Sequence, residues 1–483
     1  MNLDAVVRIL GVLLMVFSLT MLPPIAVSLL YEDGTTMPFL AAFAVTLGTG
    51  IVLFLPVRNR RGELRTRDGF LIVVLFWTVL GVTGALPLLL SEAPKMRLVD
   101  AMFESMSGLT TTGATVLTGL DELPESILYY RQQLQWLGGM GIIVLAVAIL
   151  PMLGIGGMQL YRAEMPGPVK DAKLTPRIAE TAKALWYIYM ALTITCAGAY
   201  WLAGMTLFDA IGHSFSTVAI GGFSTHDASI GYFNSPLIEM IAVTFMVLAG
   251  INFAVHFVVW RRRNPAQYLE DPEVRLFFGI LITVCVVVIF TLWQSSYYGS
   301  LGETLHHAIF QAVSIGTTAG FTTTSFSQWP GYLPVLLLFT SFIGACAAST
   351  GGGIKVIRFM LLFKQGNREI MRLIHPSAQM PVKVGNRAVG ERVIDAVWGF
   401  FATYIALFTL MMLALMATGL DQVTAFSAVA ACINNLGPGL GDVAAHYGEI
   451  GATAKWILML AMLLGRLEVF TLLVLFTPAF WRR

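Results

Sequence analysis

Long apolar stretches are the feature that most constrains how this chain can fold. Of its 483 residues, 57% are hydrophobic and only 12% are charged, whereas soluble domains carry about 25% charged residues. About ten stretches reach or approach the roughly 20 residues that a helix needs to cross a bilayer. They lie near residues 9–30, 38–57, 70–90, 134–161, 184–208, 236–260, 277–293, 333–363, 396–420 and 456–480. The sequence therefore predicts an all-α membrane protein with about ten transmembrane helices.

Basic residues are concentrated on one side of this predicted bundle. That side comprises both termini, the ends of the flanking spans and the loops 58–69, 162–183, 261–276 and 364–395. It holds every Lys and Arg except Lys95, Arg97, Arg131, Lys455 and Arg466. Because positively charged loops stay cytoplasmic, we expect both termini to be cytoplasmic. The first stretch has no small-residue cleavage site and precedes further spans, which indicates a retained anchor rather than a signal peptide.

The composition argues against several other classes of protein. A net charge of +2 gives no basis for binding nucleic acid. The sequence contains no hydrolytic triad and no paired catalytic carboxylates, so we do not predict an enzyme. The pair His306–His307 has no further ligand at a useful sequence spacing, so no metal centre is predicted there. The cysteines lie in or near apolar segments without paired spacing, as is typical of packing residues: Cys196, Cys285, Cys346 and Cys432.

A polar window that contains glycine recurs four times between predicted spans. The windows read "DAMFESMSGLTTTGAT" (100–115), "DAIGHSFSTVAIGGFS" (209–224), "HAIFQAVSIGTTAGFT" (307–322) and "TAFSAVAACINNLGPG" (424–439). In each window an alanine is followed twelve residues later by a glycine: Ala101 by Gly113, Ala210 by Gly222, Ala308 by Gly320 and Ala425 by Gly437. All four windows fall on the side opposite the basic loops. We therefore predict a repeated unit of span, half-helix, loop and span.

The repeated loops predict a ring of backbone carbonyls. Non-helical backbone at membrane depth must be buried in protein or line water, because lipid cannot hydrogen-bond its N–H and C=O groups. Glycine adopts positive φ, so carbonyls of such a loop can face one way. Four loops around one axis would offer dehydrated K⁺ a substitute for its hydration shell. The alternative is four separate extracellular loops whose glycines serve ordinary turns.

Each half-helix is expected to begin at a capping side chain. Asp100, Asp209 and Thr424 each stand just before the alanine of their window. A side-chain oxygen there can accept a hydrogen bond from the free N–H groups of the starting helix. His307 occupies this place in the third window, so we expect Thr304 to cap that half-helix.

Eight motifs together are specific for one family. They are "GLTTTGAT" (108–115), "QWLGGMGIIVLAVAILP" (135–151), "QLYRAEMPGP" (159–168), "AIGGFSTHDASIGYF" (219–233), "TTAGFTT" (317–323), "STGGGIKVIR" (349–358), "NNLGPGLG" (434–441) and "GRLEVFTLLVLFTP" (465–478). With these motifs the chain resembles, essentially end to end, the TrkH/TrkG/KtrB superfamily of potassium transporters, and within it the bacterial TrkH branch. The resemblance implies a leading helix pair (1–60) and four pseudo-equivalent M1–pore helix–M2 repeats around one ion pore. These repeats would be 69–161, 183–262, 274–365 (with an interrupted M2) and 391–483.

By this resemblance, one triplet in each repeat contributes to a K⁺ selectivity filter, mainly through backbone carbonyls. The triplets are Thr111, Thr112 and Gly113; Ile220, Gly221 and Gly222; Thr318, Ala319 and Gly320; and Asn435, Leu436 and Gly437. Pro438 follows the fourth triplet, where the second and third loops have Phe223 and Phe321. Fourfold equivalence is therefore not assumed for the fourth loop.

Small and polar residues interrupt the eighth predicted span at "GACAASTGGG" (344–353). A helix break at this depth must line a cavity or pack against protein. The resemblance implies an intramembrane gate loop below the filter, with gate residues Gly344, Ser349, Thr350, Gly351, Gly352 and Gly353. The alternative is a kink with close helix packing, which small residues also promote.

Arg466 is the only basic residue well inside a predicted span. A charge there costs at least roughly 2.5–3.5 kcal/mol on insertion scales, so it should face water, a partner or a pathway. The resemblance implies that Arg466 projects toward the ion path beneath the filter and acts as an electrostatic barrier coupled to the gate. The alternative is a structural salt bridge with another helix. Glu468 is expected to contact another helix.

The resemblance also implies a function. The chain would take up K⁺ across the bacterial inner membrane by channel-like permeation, with K⁺ as the transported ion and no organic cofactor of its own. It would form a homodimer in membrane lipid and bind a cytoplasmic regulatory ring, TrkA, that binds nucleotides; the basic loops 162–183 and 355–392 are the expected docking sites. The alternative is a secondary transporter coupled to Na⁺ or H⁺, which predicts inverted repeats and alternating access. The four windows share one orientation, which favours a fixed pore.

Overall fold

The computed structural model describes residues 2–60, 66–148 and 178–482 of the chain. These ranges are mainly helical, and their strands form one short antiparallel hairpin that pairs Lys383–Val384 with Arg387–Ala388. Six of the described helices are long and apolar enough to cross a membrane, or up to eight if each of two bent helix pairs counts as one span. The predicted class, an all-α membrane protein, is confirmed.

Two leading spans come first in the chain. Leu3–Tyr31 consists of the helices Leu3–Ser18 and Leu22–Tyr31, joined by a short 3₁₀ turn, and Thr36–Phe54 returns beside it. The two spans cross closely at a pair of glycines, since a Cβ on Gly11 would lie 2.8 Å from the carbonyl oxygen of Gly50. Small residues at such a crossing let helix backbones approach in lipid. The leading pair packs against the helices Thr66–Gly84 and Glu125–Ala148.

The remaining helices form four units, each with a first helix, a half-helix and a return helix. Unit 1 contains Thr66–Gly84 followed by Leu86–Leu90, half-helix 1 (Leu98–Leu109) and Glu125–Ala148. Unit 2 contains Ile178–Leu202, half-helix 2 (Leu207–Ala219) and the pair Pro236–Gly250 and Phe253–Arg262, with Gln267–Glu270 after it. Unit 3 contains Pro272–Gln294, half-helix 3 (Leu301–Gly316) and the pair Leu333–Ile343 and Val356–Ile374. Unit 4 contains Glu391–Ala417, half-helix 4 (Gln422–Ile433) and Ala452–Arg466 followed by Phe470–Leu473 and Pro478–Trp481.

Three return helices are bent or broken, which explains why fewer straight spans are found than were predicted. The unit 2 pair is bent by 94° and the unit 4 return helix by 107° at its break before Phe470. The predicted span 333–363 is divided between Ile343 and Val356, and its second helix runs on to Ile374 into the predicted loop 364–395. The predicted span 134–161 and the basic loop 162–183 lie partly outside the described residues.

The half-helices are enclosed by the spans in a cyclic order. Half-helix 2 contacts the return helix of unit 1, half-helix 3 that of unit 2, and half-helix 4 that of unit 3. Half-helix 1 contacts Ala452–Arg466 of unit 4, so the cycle closes. In half-helix 1 every residue from 101 to 109 is buried. Burial within protein is the condition under which a helix can end at membrane depth.

The half-helices begin about one turn earlier than the sequence predicted, so the predicted caps are wrong. Thr206, Ser300 and Asp421 are the capping residues, and their side chains accept hydrogen bonds from the N–H groups of Asp209, Glu303 and Thr424. The predicted caps Asp209, Thr304 and Thr424 lie inside the helices. Half-helix 1 has no side-chain cap at Arg97, and Asp100 instead accepts a hydrogen bond from Lys455 Nζ at 2.6 Å. The choice was ambiguous because suitable polar residues stand one turn apart in these segments.

Candidate functional site

The four predicted loops share one unusual backbone conformation. The φ angle is positive at the first residue of each triplet: Thr111 (55°), Ile220 (54°), Thr318 (69°) and Asn435 (52°). It is positive again at the glycine that ends each triplet: Gly113 (77°), Gly222 (81°), Gly320 (79°) and Gly437 (98°). A residue other than glycine rarely adopts positive φ, and a β-branched one such as isoleucine or threonine very rarely does. The agreement among four distant segments therefore indicates a structural repeat held by its surroundings.

The four loops contact one another in a closed cycle. At the glycine that ends each triplet, an added Cβ would collide with a carbonyl oxygen of the next loop. The distances would be 2.1 Å from Gly113 to Gly221 O and 2.2 Å from Gly222 to Ala319 O. They would be 2.0 Å from Gly320 to Leu436 O and 2.7 Å from Gly437 to Thr112 O. Each glycine thus admits a carbonyl of the next loop, and the fourth loop returns to the first. The structure brings all twelve predicted filter residues together in this ring. Any side chain at the glycines would push two loops apart.

One cavity adjoins the ring. Its volume is about 320 Å³, and its lining includes all four glycines together with segments that follow the triplets, such as Thr322–Ser325. We call the side of the ring that faces this cavity the entry side. The alternative of four separate surface loops does not describe this arrangement, because the glycines meet at the floor of a shared cavity.

Side-chain amides and a phenol support the ring through hydrogen bonds. Gln135 donates from Nε2 to Gly221 O at 2.5 Å and accepts from Phe223 N–H at 3.0 Å. Asn435 Nδ2 donates to Thr112 Oγ1 at 2.9 Å, and so links the fourth loop to the first. Tyr447 Oη donates to Gly437 O at 2.7 Å. These supports differ from loop to loop, so the ring is only approximately fourfold.

A buried ion pair joins the first two loops. Arg131 Nε lies 2.7 Å from Glu104 Oε1, and the two side chains are 1% and 0% exposed. Arg131 also donates to Ser224 O at 3.1 Å, while Glu104 accepts from the Val116 N–H at 2.9 Å. The pair therefore ties half-helix 1 and its return helix to the segment after the second triplet. Sequence reasoning missed this pair, although a glutamate in the middle of a half-helix expected at membrane depth was a signal.

His226 lies at the cavity and faces two carboxylates. It forms ion pairs with Asp121 and Asp209, and its ring stacks on Tyr232 with 3.4 Å between centroids. Burial alone would lower the pKa of His226, but its hydrogen bonds to Asp209 and Asp121 outweigh burial and raise the pKa above the ordinary value. The proton on His226 is therefore held to higher pH than on a free histidine.

The segment 344–355 breaks the unit 3 return helix directly against the ring, on the face opposite the entry side. The Gly352 N–H donates to Thr318 Oγ1 at 2.6 Å, and the Gly353 N–H donates to Asn434 O at 3.1 Å. Thr350 Oγ1 donates to Val218 O at 2.9 Å. These acceptors lie at or just past the C-terminal ends of half-helices 3, 4 and 2, so the segment spans three of the four units.

The predicted gate residues fold into a compact loop within this segment. Gly344 ends the preceding helix at a φ of 68°, and a Cβ there would lie 2.2 Å from Gly352 O. A Cβ on Gly351 would lie 2.8 Å from Thr317 O. Ser349 Oγ donates to Cys346 O at 2.6 Å. The alternative to a gate loop was a helix kink with close helix packing. Close packing is present here, but it is the packing of a loop against the ring and not of one helix against another.

Arg466 lies at the bend of unit 4 and contacts both the ring and this loop. Its guanidinium donates to Thr111 Oγ1 at 3.3 Å and to Thr350 O at 3.2 Å. It also donates to the carbonyl of Gly138 in the unit 1 return helix and lies 5.2 Å above the Trp77 ring. Arg466 therefore connects the first triplet, the loop and unit 1 through hydrogen bonds to uncharged oxygens.

Glu468, two residues further on, forms an ion pair with Arg358 of the helix Val356–Ile374. Arg358 lies 4.2 Å above the ring of Phe400. The expectation that Glu468 contacts another helix is confirmed.

Two charged residues that hold the loop were missed by sequence reasoning. Glu273 Oε1 accepts from the N–H group of Ala347 at 2.7 Å, within the loop, and from that of Ile357 at 3.2 Å, just after it. Lys355 Nζ donates to the carbonyl of Gly351. In the sequence Glu273 resembles an ordinary acidic residue in the first turn of a helix, so no pattern distinguished it.

Comparison with known proteins identifies the family. The family model described as "TrkH: Cation transport protein" matches residues 35–483. The chain belongs to the TrkH family. The Trk system potassium uptake protein TrkH of Halomonas elongata is 61% identical, that of Escherichia coli is 59% identical, and each alignment covers 100% of both chains. The crystal structure of the potassium transporter TrkH from Vibrio parahaemolyticus matches with a TM-score of 0.91 and 57% identity over 100% of both chains.

This membership confirms the family predicted from the motifs. It also agrees with the absence of a predicted catalytic site, because the TrkH relatives are named as transport proteins rather than enzymes.

The first prediction concerns the buried ion pair. Glu104→Gln should destabilise the fold by about 3–5 kcal/mol, because it leaves the buried guanidinium of Arg131 without a compensating charge. Thermal unfolding in detergent measures the effect. Arg60→Gln is the matched control, since it breaks the exposed pair Arg60–Asp4 and should not change the melting temperature measurably. A melting temperature for Glu104→Gln equal to that of the control would contradict the assigned role.

Proposed function

We propose that this chain conducts K⁺ across the bacterial inner membrane through a selectivity filter formed by the four triplets. The observation that carries the proposal is the closed cycle of four positive-φ loops whose glycines line one cavity. Rings of backbone carbonyls replace the hydration shell of K⁺ in filters of this kind. The names of the relatives, which are potassium uptake proteins, support K⁺ as the transported ion.

The half-helices favour a cation at the ring. Each ends one or two residues before the first residue of its triplet, at Leu109, Ala219, Gly316 and Ile433. The C-terminal end of a helix carries a partial negative charge of about half an electron, and the effect is strong only within the last turn. Four such ends around one axis stabilise a cation without any carboxylate among the triplets, so the ion is held without being trapped by a full charge.

The loop 344–353 is proposed to be the gate. It lies against the ring on the face opposite the cavity and bonds to the ends of half-helices 2, 3 and 4. Arg466 places a positive charge between this loop and the first triplet. Packed backbone and a repelling charge therefore restrict the pathway, and full opening requires the loop to leave its contacts with Thr318 and Asn434.

Regulation is proposed to reach the gate through the helix Val356–Ile374. This helix begins directly after the gate loop and carries Arg368, which bonds to Glu391 at the start of unit 4. We propose that both termini are cytoplasmic and that a cytoplasmic nucleotide-binding ring resembling TrkA docks on segments 162–183 and 355–392. Nucleotide would bind this partner. The functional assembly would be a homodimer in the lipid bilayer.

The competing proposal is a secondary transporter coupled to Na⁺ or H⁺. Such transporters are built from inverted repeats that rock around a central site. In this chain the four half-helices form one cycle, and the C-terminal end of each leads into a loop of the same ring. This arrangement favours a fixed pore.

The second prediction separates the two proposals. Purified protein in liposomes should take up ⁸⁶Rb⁺ down a K⁺ gradient, at unchanged rate when Na⁺ is replaced by choline and when a protonophore removes any pH gradient. The rate should not change because a fixed pore needs no second ion. Protein-free liposomes measure the background leak of ⁸⁶Rb⁺. Uptake that stops without Na⁺ or without a proton gradient would establish the coupled transporter instead.

The third prediction concerns selectivity. Gly113→Ser should increase Na⁺ permeation relative to K⁺ by at least about tenfold, because a Cβ would meet Gly221 O and separate the first two loops. Gly119→Ser is a matched control: Gly119 also has positive φ, 69°, but a Cβ there meets no atom within 4 Å. The ratio of ²²Na⁺ to ⁸⁶Rb⁺ flux in liposomes measures the effect. Equal ratios in the two variants would exclude Gly113 from the filter.

The fourth prediction concerns the gate. Arg466→Ala should raise ⁸⁶Rb⁺ flux several-fold, because it removes both a positive charge near the path and a hydrogen bond to Thr350 O. Arg466→Lys retains the charge, so it should stay close to the wild-type flux if the barrier is electrostatic. Size-exclusion chromatography confirms that both variants fold. A folded Arg466→Ala variant with unchanged or lower flux would contradict the barrier.

A further inference from the structure

Three side chains of metal-binding type meet on the entry side of the protein, apart from the ring. His306 and His307 belong to half-helix 3, and Glu239 belongs to the first turn of the unit 2 return helix. One donor atom from each lies within 4.8 Å of the other two. This cluster could not be expected from the sequence, because Glu239 is 67 positions from His306 and only the fold brings the two helices together.

The carboxylate of this cluster needs a positive partner. Glu239 is 3% exposed, and its Oε2 lies 2.8 Å from His306 Nδ1. Among the described residues, His306 is the hydrogen-bonding and ion-pairing partner of this carboxylate. A buried carboxylate is costly unless it is paired with a cation. Either a protonated His306 or a metal ion satisfies this requirement, and a divalent ion would allow both histidines to remain neutral.

The geometry leaves a ligand position on each histidine and a route to it. The rings of His306 and His307 lie 4.0 Å apart between centroids. His307 Nδ1 is 3.0 Å from Thr323 Oγ1, so Nδ1 can donate to that hydroxyl while Nε2 faces an ion. A hydrogen bond of this type orients a metal-binding imidazole. The His306 side chain is 23% exposed, so an ion can enter from solvent.

The donor set selects the class of metal. Two imidazoles and one carboxylate suit Zn²⁺ and similar transition metals, whereas Mg²⁺ and Ca²⁺ prefer oxygen ligands throughout. Tetrahedral Zn²⁺ with bonds of 2.0–2.1 Å needs donors roughly 3.3 Å apart. The Glu239–His306 pair, at 2.8 Å, must open slightly, and donors that lie up to 4.8 Å apart must close. Small side-chain movements therefore suffice, and a water molecule would fill the fourth position.

We propose that Glu239, His306 and His307 form a binding site for a Zn²⁺-like transition-metal ion on the entry side. Such an ion would cross-link the unit 2 return helix to half-helix 3. It would also fix the orientation of His307 against Thr323, which lines the cavity above the ring. The site is independent of the proposed K⁺ pathway, because none of its three ligands belongs to a triplet or to the gate loop.

The test uses the full-length protein without an affinity tag, purified in detergent and treated with chelator. Isothermal titration with ZnCl₂ should show one Zn²⁺ bound per chain, and MgCl₂ should show no binding. His306→Ala and His307→Ala should each weaken Zn²⁺ binding at least about tenfold. Glu239→Gln should do the same, and it keeps a hydrogen-bonding side chain of similar size at this buried position. His375→Ala is the control, because His375 is exposed and far along the chain from the cluster.

Co²⁺ provides a readout that nonspecific binding does not give. The wild-type protein with Co²⁺ should show the visible absorption of a tetrahedral site, and this band should be lost in His306→Ala and His307→Ala but kept in His375→Ala. Zn²⁺ should also raise the melting temperature of the wild type and not of the three ligand variants, since ligand binding to the folded state stabilises it. Zn²⁺ binding that persists unchanged in the double variant His306→Ala/His307→Ala, or no binding by the wild type at 100-fold molar excess, would overturn the proposal.

Discussion

The close approach of backbone to backbone at four glycines is the contact on which the rest of this structure depends. A Cβ at Gly113, Gly222, Gly320 or Gly437 would meet a carbonyl oxygen of the neighbouring loop. Carbonyls can gather at such a distance only where no side chain intervenes, and only where the membrane is excluded. The surrounding structure supplies both conditions. Half-helices that are mostly buried toward their C-terminal ends bring the loops to membrane depth. Gln135, Tyr447 and the ion pair Arg131–Glu104 hold the loops in place.

The ring and the proposed gate are not separate devices, because they share atoms. Thr318 belongs to the third triplet and also accepts the N–H of Gly352. Arg466 donates both to Thr111 of the first triplet and to Thr350 of the loop. Withdrawal of the loop would therefore remove hydrogen bonds from the back of two triplets. If the loop is the gate, the conformation of the ring and the position of the loop are therefore energetically coupled, in the sense that each biases the other.

Much of the architecture could be predicted because it is encoded in long or repeated patterns. The lengths of the apolar stretches gave the membrane class, and the interval from Ala101 to Gly113, repeated three times, gave the units and the positions of the loops. Contacts between distant segments could not be predicted in this way. The contacts of Glu273 with the loop and of Glu239 with His306 depend on which helices become neighbours. The half-helix caps were misplaced because suitable residues stand one turn apart. The closing of the loops into a cycle was a hypothesis from sequence and a geometric observation from the structure.

The central claim is that main-chain oxygens of the four triplets bind the transported cation on a shared axis. The most direct measurement is a crystallographic or cryo-electron-microscopic map of the protein equilibrated with Tl⁺ or Rb⁺, compared with one in Na⁺ alone. The account predicts heavy-ion density enclosed by residues 111–113, 220–222, 318–320 and 435–437, which is absent or displaced in Na⁺. Density found only at carboxylates away from the ring, with none between the four glycines at saturating Tl⁺, would contradict it.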